Sequence, residues 1–580
     1  MIAAILFCGS GPGEPETPYE KSGRTATATW EEAIAYYEAL AGNSAKIKVL
    51  EAGMTDIGKP LHLVLISGDG TFDAGTAKRK DKRVILINNG IHPGEPDGID
   101  ASMMLARDLI SSSNYEQLLE NTVILIIPVY NVDGCLNRGC CSRANQNGPV
   151  EYGFRGNAKN LDLNRDFIKM DSKNAESFEK IFREWDPDVF VDTHTSDGAD
   201  YPYIMTILPT QKDKLHPEVS AYMTRLMLPE LYKRMLDAGF EMCPYVNTVA
   251  EIPDSGIADF FDSPRFSTGY AALFHTIGIT TESHMLKTFE QRVEATYMLL
   301  MSIIKTVHRD RVAIRRARET AKIETATQSV FPTRWKLQEG RSEMMLFKGY
   351  EAEWITSLVT GLPVLRYNQS RPWTREIPHF NVFNTDASVE KPFAYIIPQA
   401  WKEVVERMKV NKVKMNPLLE DTKLDCEFYF IDSYQTRTYP YEGHYEHYQV
   451  KLKKENREVQ FYKGDIVVIT NQESNRYIVE TLEPESHDSW FAWGFFDATL
   501  MRKEYFSDYV FDAEAEKILA EDAALKAKLD EMRATDSAFA GNAWMQLDFV
   551  YRNTGHYENS HNRYPVARLI NQQKLPIGKP

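Results

Sequence analysis

Basic side chains are the minority in this 580-residue chain: 67 Lys and Arg stand against 82 Asp and Glu, a formal net charge of -15. That sign argues against general nucleic-acid binding, because a phosphate backbone is matched by a basic face. It says little about a small substrate, since a local basic pocket survives inside an acidic protein. Cysteine is scarce as well. The six cysteines, Cys8, Cys135, Cys140, Cys141, Cys243 and Cys426, make no paired Cys-x-x-Cys knuckles. A disulfide from Cys135 to Cys140 or Cys141 and free buried thiols both fit the spacing. No apolar run is long and uncharged enough to cross a bilayer. Neither a repeat of fixed period nor a low-complexity tract is present. What remains is a globular composition, 43% hydrophobic and 26% charged, in a chain long enough for two or more domains.

The chain is organised around Asn88-Asn89-Gly90-Ile91-His92-Pro93-Gly94-Glu95. The apolar run Val84-Ile85-Leu86-Ile87 feeds it as a buried strand of a parallel sheet, and a helical segment with Met103, Met104 and Leu105 follows. His92 and Glu95 therefore fall at the carboxyl edge of a sheet, where open α/β folds place ligands. A His and a Glu on one rigid turn can share a metal, and zinc accepts both atom types. Alone, such a pair arises often by chance.

Taken in order, the first residues, Met1 to Ser10, are apolar and give way to a Gly/Pro/Glu-rich segment. Residues 1–23 read as a signal remnant or flexible start. An apolar stretch ending in Cys-Gly-Ser also resembles a bacterial lipoprotein cleavage site with Cys8 as the lipidated residue, although Phe7 is bulky where a small residue is usual. The expectation is an exported protein, with a cytoplasmic one left open. Thr29 and Glu32 form a capping box for a helix carrying Ala33, Ile34, Tyr37 and Leu40 on one face. Strands are expected at 47–50, 61–66, 84–87, 123–129, 189–192 and 204–208, with a further strand-like stretch near Val246 and another leading into Glu282. Helices are expected at about 175–185, 217–238 and 290–308. The aperiodic stretch from Asn131 to Gly153 is a long loop at a strand end, a position that favours function. Alternating strands and helices make residues 24–310 one α/β domain on a mixed, mostly parallel sheet. Residues 311–330 read as a charged connector, helical in tendency. From 331 to 580 the texture changes to short alternating segments, Arg476–Leu482 among them, with helices at 399–410 and 513–532 and Asp512 as a cap: a second, mixed, β-rich domain.

Four apolar strand ends present polar clusters. His92 and Glu95 lie at the first and His194 at the third, and the three complete a zinc set with one open position. Asp192 stands near enough to orient an imidazole, with its partner left open. Glu282, at the fourth, is a carboxylate suited to take a proton from water. The loop after the second supplies Arg155, which could steady an oxyanion, and Asn164 with Arg165, which could grip a carboxylate. His62, His284 and the remaining histidines read as structural.

This arrangement resembles the zinc carboxypeptidase family, the funnelins with a carboxypeptidase A-like fold, over roughly residues 24–310. The carriers are His92-Pro93-Gly94-Glu95, Phe154-Arg155-Gly156-Asn157, Leu161-Asp162-Leu163-Asn164-Arg165-Asp166-Phe167, Asp192-Thr193-His194 and Thr280-Thr281-Glu282-Ser283, in that family's order. The whole chain resembles a bacterial branch with an extra C-terminal region. The resemblance implies a three-layer domain and one zinc ion per chain held by His92, Glu95 and His194. It implies Glu282 as general base and Arg155 as oxyanion donor. Asn164 and Arg165 would hold a substrate's terminal carboxylate, and Tyr270 is the candidate for the tyrosine that covers the substrate. The function implied is release of C-terminal residues from peptides. An amidase of the same chemistry on cell-wall stem peptides or N-acyl amino acids is the alternative, and an inactive binding protein on the same scaffold is the second. The expected partner is a peptide or amide with a free carboxylate. No nucleic acid and no transmembrane span are expected, and the oligomeric state is open.

Overall fold

In the computed structural model, residues 15–579 are described. Cys8 and most of the expected signal segment lie outside them. From Thr17 the chain is already packed: Thr17 caps the short helix Pro18–Lys21, and Tyr19 sits edge-on against Phe289 at 5.5 Å between ring centres.

Among the described residues, nine strands occupy the N-terminal half: β1 (Ile47–Met54), β2 (Pro60–Ile66), β3 (Arg83–Asn88), β4 (Thr122–Ile127), β5 (Val189–Ser196), β6 (Met205–Pro209), β7 (Met242–Pro244), β8 (Ile257–Ala258) and β9 (Ile277–His284). All but β8 form one eight-stranded sheet in the order β1-β2-β4-β3-β5-β9-β6-β7. Its centre, β4-β3-β5-β9, is parallel throughout, whereas β1–β2, β2–β4 and β9–β6 pair antiparallel. The central strands are buried on both faces, so their side chains run apolar without alternation. One face, with Ile85, Ile87, Ile124 and Val191, packs on the helices Asp97–Ser111 and Phe289–Thr327. The other, with Leu86, Leu125 and Phe190, packs on Phe178, Phe182, Tyr270 and Phe274. Each such aromatic, fully removed from water, contributes about 1.5–3 kcal/mol to the fold. Helix, sheet and helix make three layers.

The capping box forms: Thr29 Oγ1 accepts from Glu32 N–H at 3.2 Å and Glu32 Oε2 accepts from Thr29 N–H at 2.8 Å. Two local expectations are corrected, those for residues 476–482 and 513–532. The charged stretch after residue 310 is helical, as its sequence suggests, and forms the second half of one 39-residue helix, Phe289–Thr327. Its charges serve specific contacts, Arg318 pairing with Asp186 at 2.7 Å and Asp188 at 2.8 Å beneath the sheet. Arg476–Leu482 is helical (Asn475–Leu482), because it is buried on all sides and alternation carries no information there. The expected helix at 513–532 is two helices, Asp508–Glu521 and Ala523–Thr535, and Asp522 rather than Asp512 provides a side-chain cap, to Leu525 N–H.

The C-terminal half is a mixed, largely antiparallel β-rich domain with a six-stranded sheet. A long hairpin, Glu343–Thr356 with Pro363–Phe380, joins β8 through His379 and Ile257. The two halves share one core: the cluster holding Leu86 and Phe190 continues into Tyr395, Tyr477, Trp490 and Trp493. Cys140 and Cys141 are bonded to each other, and Cys135, Cys243 and Cys426 are free and buried. Among the described residues no helix is long and apolar enough to cross a membrane.

Candidate metal centre and active site

The strand β3 ends at Asn88 and the chain turns at Gly90, whose φ of +64° is open to glycine at little cost. The turn delivers His92 and Glu95, both 3% exposed, beside His194 from β5. One donor atom from each of the three lies within 4.8 Å of the others. Both imidazoles turn Nδ1 toward Glu95: His92 Nδ1 is 3.3 Å from Oε1 and His194 Nδ1 is 3.2 Å from Oε2. The far side of each ring meets a carboxylate, His92 Nε2 on Asp162 Oδ1 at 2.8 Å and His194 Nε2 on Asp192 Oδ2 at 2.9 Å. Asp192 is itself held by Asn88 Nδ2–H at 3.0 Å. Carboxylates behind both rings fix their orientation and leave Nδ1 as the ligand atom.

These residues fit a zinc ion. The His92 Nδ1 atom is buried and has no hydrogen-bond partner among the described residues, although it faces the shared space. Two imidazole nitrogens and one carboxylate oxygen are a donor set that zinc takes with a position to spare. The electrostatics favour a cation there too. Burial would lower the His194 ring's pKa, but Asp192 and Glu95 outweigh it and hold it well above the usual range. Burial would raise the Glu95 carboxyl, and His92, Arg143 and His194 hold it well below. A dication supplies the same positive charge and displaces the ring proton.

Glu282 is the register partner of His194 across β5 and β9. Burial pushes its carboxyl up to about 8, helped by Glu95 and opposed by His194. Arg155 donates from Nε and Nη2 to Asp162 Oδ2 at 3.0 and 2.8 Å, and its Nη1 reaches Glu95 Oε1 at 3.3 Å. Asp162 also caps the short turn Leu163–Arg165 by accepting from Asn164 N–H at 2.9 Å. Asn164 Oδ1 accepts from Ser267 N–H, and the Arg165 guanidinium lies 4.6 Å from the Phe266 ring centre. A cavity of about 320 Å³ brings His92, Glu95, His194, Glu282, Arg155, Asn164 and Arg165 together.

Tyr270 is corrected. It lies in the helix Ser267–Ala272, fully buried among Phe167, Phe178, Phe182 and Phe274, and its hydroxyl donates to Asn411 Oδ1 at 2.7 Å. It faces the core and cannot cover a ligand in the cavity. Tyr245, Phe260 and Phe266 are the aromatic residues that line it. Two polar contacts escape the sequence reading. Asp162 stands inside the quoted Leu161–Phe167 segment, yet nothing in its spacing ties it to His92. Arg143 comes from the long loop, donating to Glu95 Oε1 at 2.6 Å and to Thr195 O at 2.9 Å. It passes where a side chain on Gly94 would stand, since a Cβ there would lie 2.9 Å from Arg143 Cδ.

Residues 33–225 match the family model described as Zinc carboxypeptidase. Carboxypeptidase 2 of Trichophyton rubrum is 23% identical over 505 residues, covering 82% of this chain and 84% of the relative. Carboxypeptidase 2 of Trichophyton equinum is 23% identical over 428 residues, covering 71% and 73%. Among solved structures, a metallo-carboxypeptidase from Pseudomonas aeruginosa in complex with (2-guanidinoethylmercapto)succinic acid is 14% identical, with 50% of this chain and 70% of that chain covered at a TM-score of 0.37. The stretch that matches the zinc carboxypeptidase model is the one that carries the metal-binding triad His92, Glu95 and His194, and a further, β-rich C-terminal domain follows it.

Proposed function

We propose that this protein is a zinc-dependent carboxypeptidase that releases residues from the C-termini of peptides. The observation that carries the reading is the single cavity in which the metal-binding triad, Glu282, and the cations Arg155 and Arg165 meet. A zinc ion on His92, Glu95 and His194 would polarise a scissile carbonyl and acidify water beside it. Glu282 takes the proton from the attacking water and returns it to the leaving nitrogen. Arg155, anchored by two bonds to Asp162, presents its guanidinium to the oxygen on which charge develops. Arg165 and Asn164 hold the substrate's terminal carboxylate, and the Arg165 guanidinium is steadied by its contact with the Phe266 ring. An internal peptide bond offers no such carboxylate, so selectivity for chain ends follows from geometry.

An amidase acting on stem peptides or N-acyl amino acids would use the same groups. A binding scaffold would have no use for Glu282 beside the triad, and its presence favours an enzyme. The test is a matched pair of peptides, one a free acid and one a C-terminal amide. The acid is expected to be cleaved and the amide to survive. Equal cleavage of both would contradict the role given to Asn164 and Arg165, and cleavage of neither, by protein loaded with zinc, would turn the search to acyl amino acids and cell-wall peptides.

A further inference from the structure

The loop that brings Asp162, Asn164 and Arg165 to the cavity is held from outside its own domain. Its first anchor is Glu442, whose Oε2 accepts from the Asp162 backbone N–H at 2.8 Å. At the far end, His444 Nε2 meets Asp171 Oδ2 at 2.7 Å. Between them Arg407 donates to the carbonyls of Lys169 and Met170 at 2.5 and 3.2 Å. All three side chains come from the C-terminal domain. The loop, by contrast, has only one short helical turn of its own, Leu163–Arg165.

Glu442 holds its place against a local penalty. Its φ is +48°, left-handed backbone that an L side chain with a Cβ adopts only at a cost. Such strain persists where surrounding contacts over-determine it, and it gathers at functional sites. The neighbouring Tyr441–His444 bridge closes the tight turn that imposes it, with Tyr441 N–H on His444 O at 2.7 Å. The contact it serves lies one residue's backbone away from the carboxylate that sets His92. Asp162 spends its side chain on His92, Arg155 and Asn164 N–H. Glu442 is then the brace on its main chain.

We propose that the C-terminal domain is a working part of the metal centre, with Glu442 as a positioning residue that acts through Asp162 to hold His92 in its zinc-binding orientation. The inference rests on the metal-centre reading and is independent of whether peptides are the substrate.

The test compares full-length native protein, Glu442→Gln and Glu442→Gly, reading zinc affinity by competition with a chromogenic chelator and the thermal midpoint of the zinc-free protein. Gln keeps an acceptor at the same reach and is expected to bind zinc within about twofold of native. Gly removes the acceptor and relieves the left-handed backbone. Its affinity is expected to fall by more than about threefold, less than the loss from cutting a group that touches the ligand directly, while its zinc-free midpoint stays within about 2 °C of native. A Gly variant that keeps its zinc affinity to within that threefold overturns the proposal. So does a loss of affinity shared equally by the Gln variant, or one matched by a fall in the zinc-free midpoint, since each marks a general structural role. Should the Gly variant fail to fold, Glu442→Asp, one methylene too short, takes its place under the same criteria. Native protein that binds no zinc would overturn the metal centre itself, whereas zinc binding without peptide cleavage would overturn only the proposed function.

Discussion

His92 and Asp162 meet at 2.8 Å through Nε2 and Oδ1, on the side of the ring away from Glu95. The same carboxylate receives Arg155 through its other oxygen. One aspartate thus holds a residue of the metal-binding triad and the arginine proposed as oxyanion donor together. Asp162→Ala is expected to weaken zinc about 10–100-fold by chelator competition, and to lower kcat further at saturating zinc because Arg155 loses its anchor. Unchanged zinc affinity in a folded variant would remove Asp162 from the centre.

Asp100 gives the fold a pH dependence of known sign. It is fully buried, and burial, helped by the charge of Asp97, pushes its carboxyl up to about 7 against the bonds from Thr27 and Ala28 N–H. A folded-state value above the unfolded value of about 3.9 means the folded chain holds this proton more tightly. The contribution is whole below about pH 4, shrinks as pH rises, and is lost above about pH 7, a swing of about 4 kcal/mol. Asp100→Asn stays neutral throughout, so urea unfolding is expected to show it gaining on native protein between pH 4.5 and pH 8. Parallel curves would show that Asp100 is ionised in the fold.

Tyr270→Phe separates packing from substrate contact. Its hydroxyl donates to Asn411, which also binds Glu179 in the core. Removing it leaves a buried acceptor short of a partner and is expected to cost about 1–2 kcal/mol of stability. kcat and KM should not move. A raised KM with unchanged stability would restore the tyrosine to the cavity.

Much of the site was legible because it is local. His92, Glu95, His194 and Glu282 each follow an apolar run, and an apolar run that stops at polar residues marks the edge of a buried sheet. The central sheet was legible for the same reason. What stayed hidden depends on contacts that periodicity does not encode. Asp162 and His92 are 70 residues apart and meet only when a loop folds over the sheet edge. Arg143 reaches Glu95 from an aperiodic loop, through space that Gly94 leaves empty. Tyr270 sits in a short helix of small residues, Ser267–Ala272, that is buried on every side, so nothing in its neighbours tells core from cavity. Helix Asn475–Leu482 was read as a strand for a related reason, burial on every side.

The most direct measurement is mass spectrometry of a mixed peptide pool after incubation with zinc-loaded native protein and, in parallel, with Glu282→Gln. Native protein is expected to give ladders shortened one residue at a time from the C-terminus. The variant, with zinc still bound, is expected to be slower by about 10²–10⁴-fold. Ladders of equal yield from both proteins would contradict Glu282 as the base, and an intact pool from zinc-loaded native protein would contradict the carboxypeptidase itself.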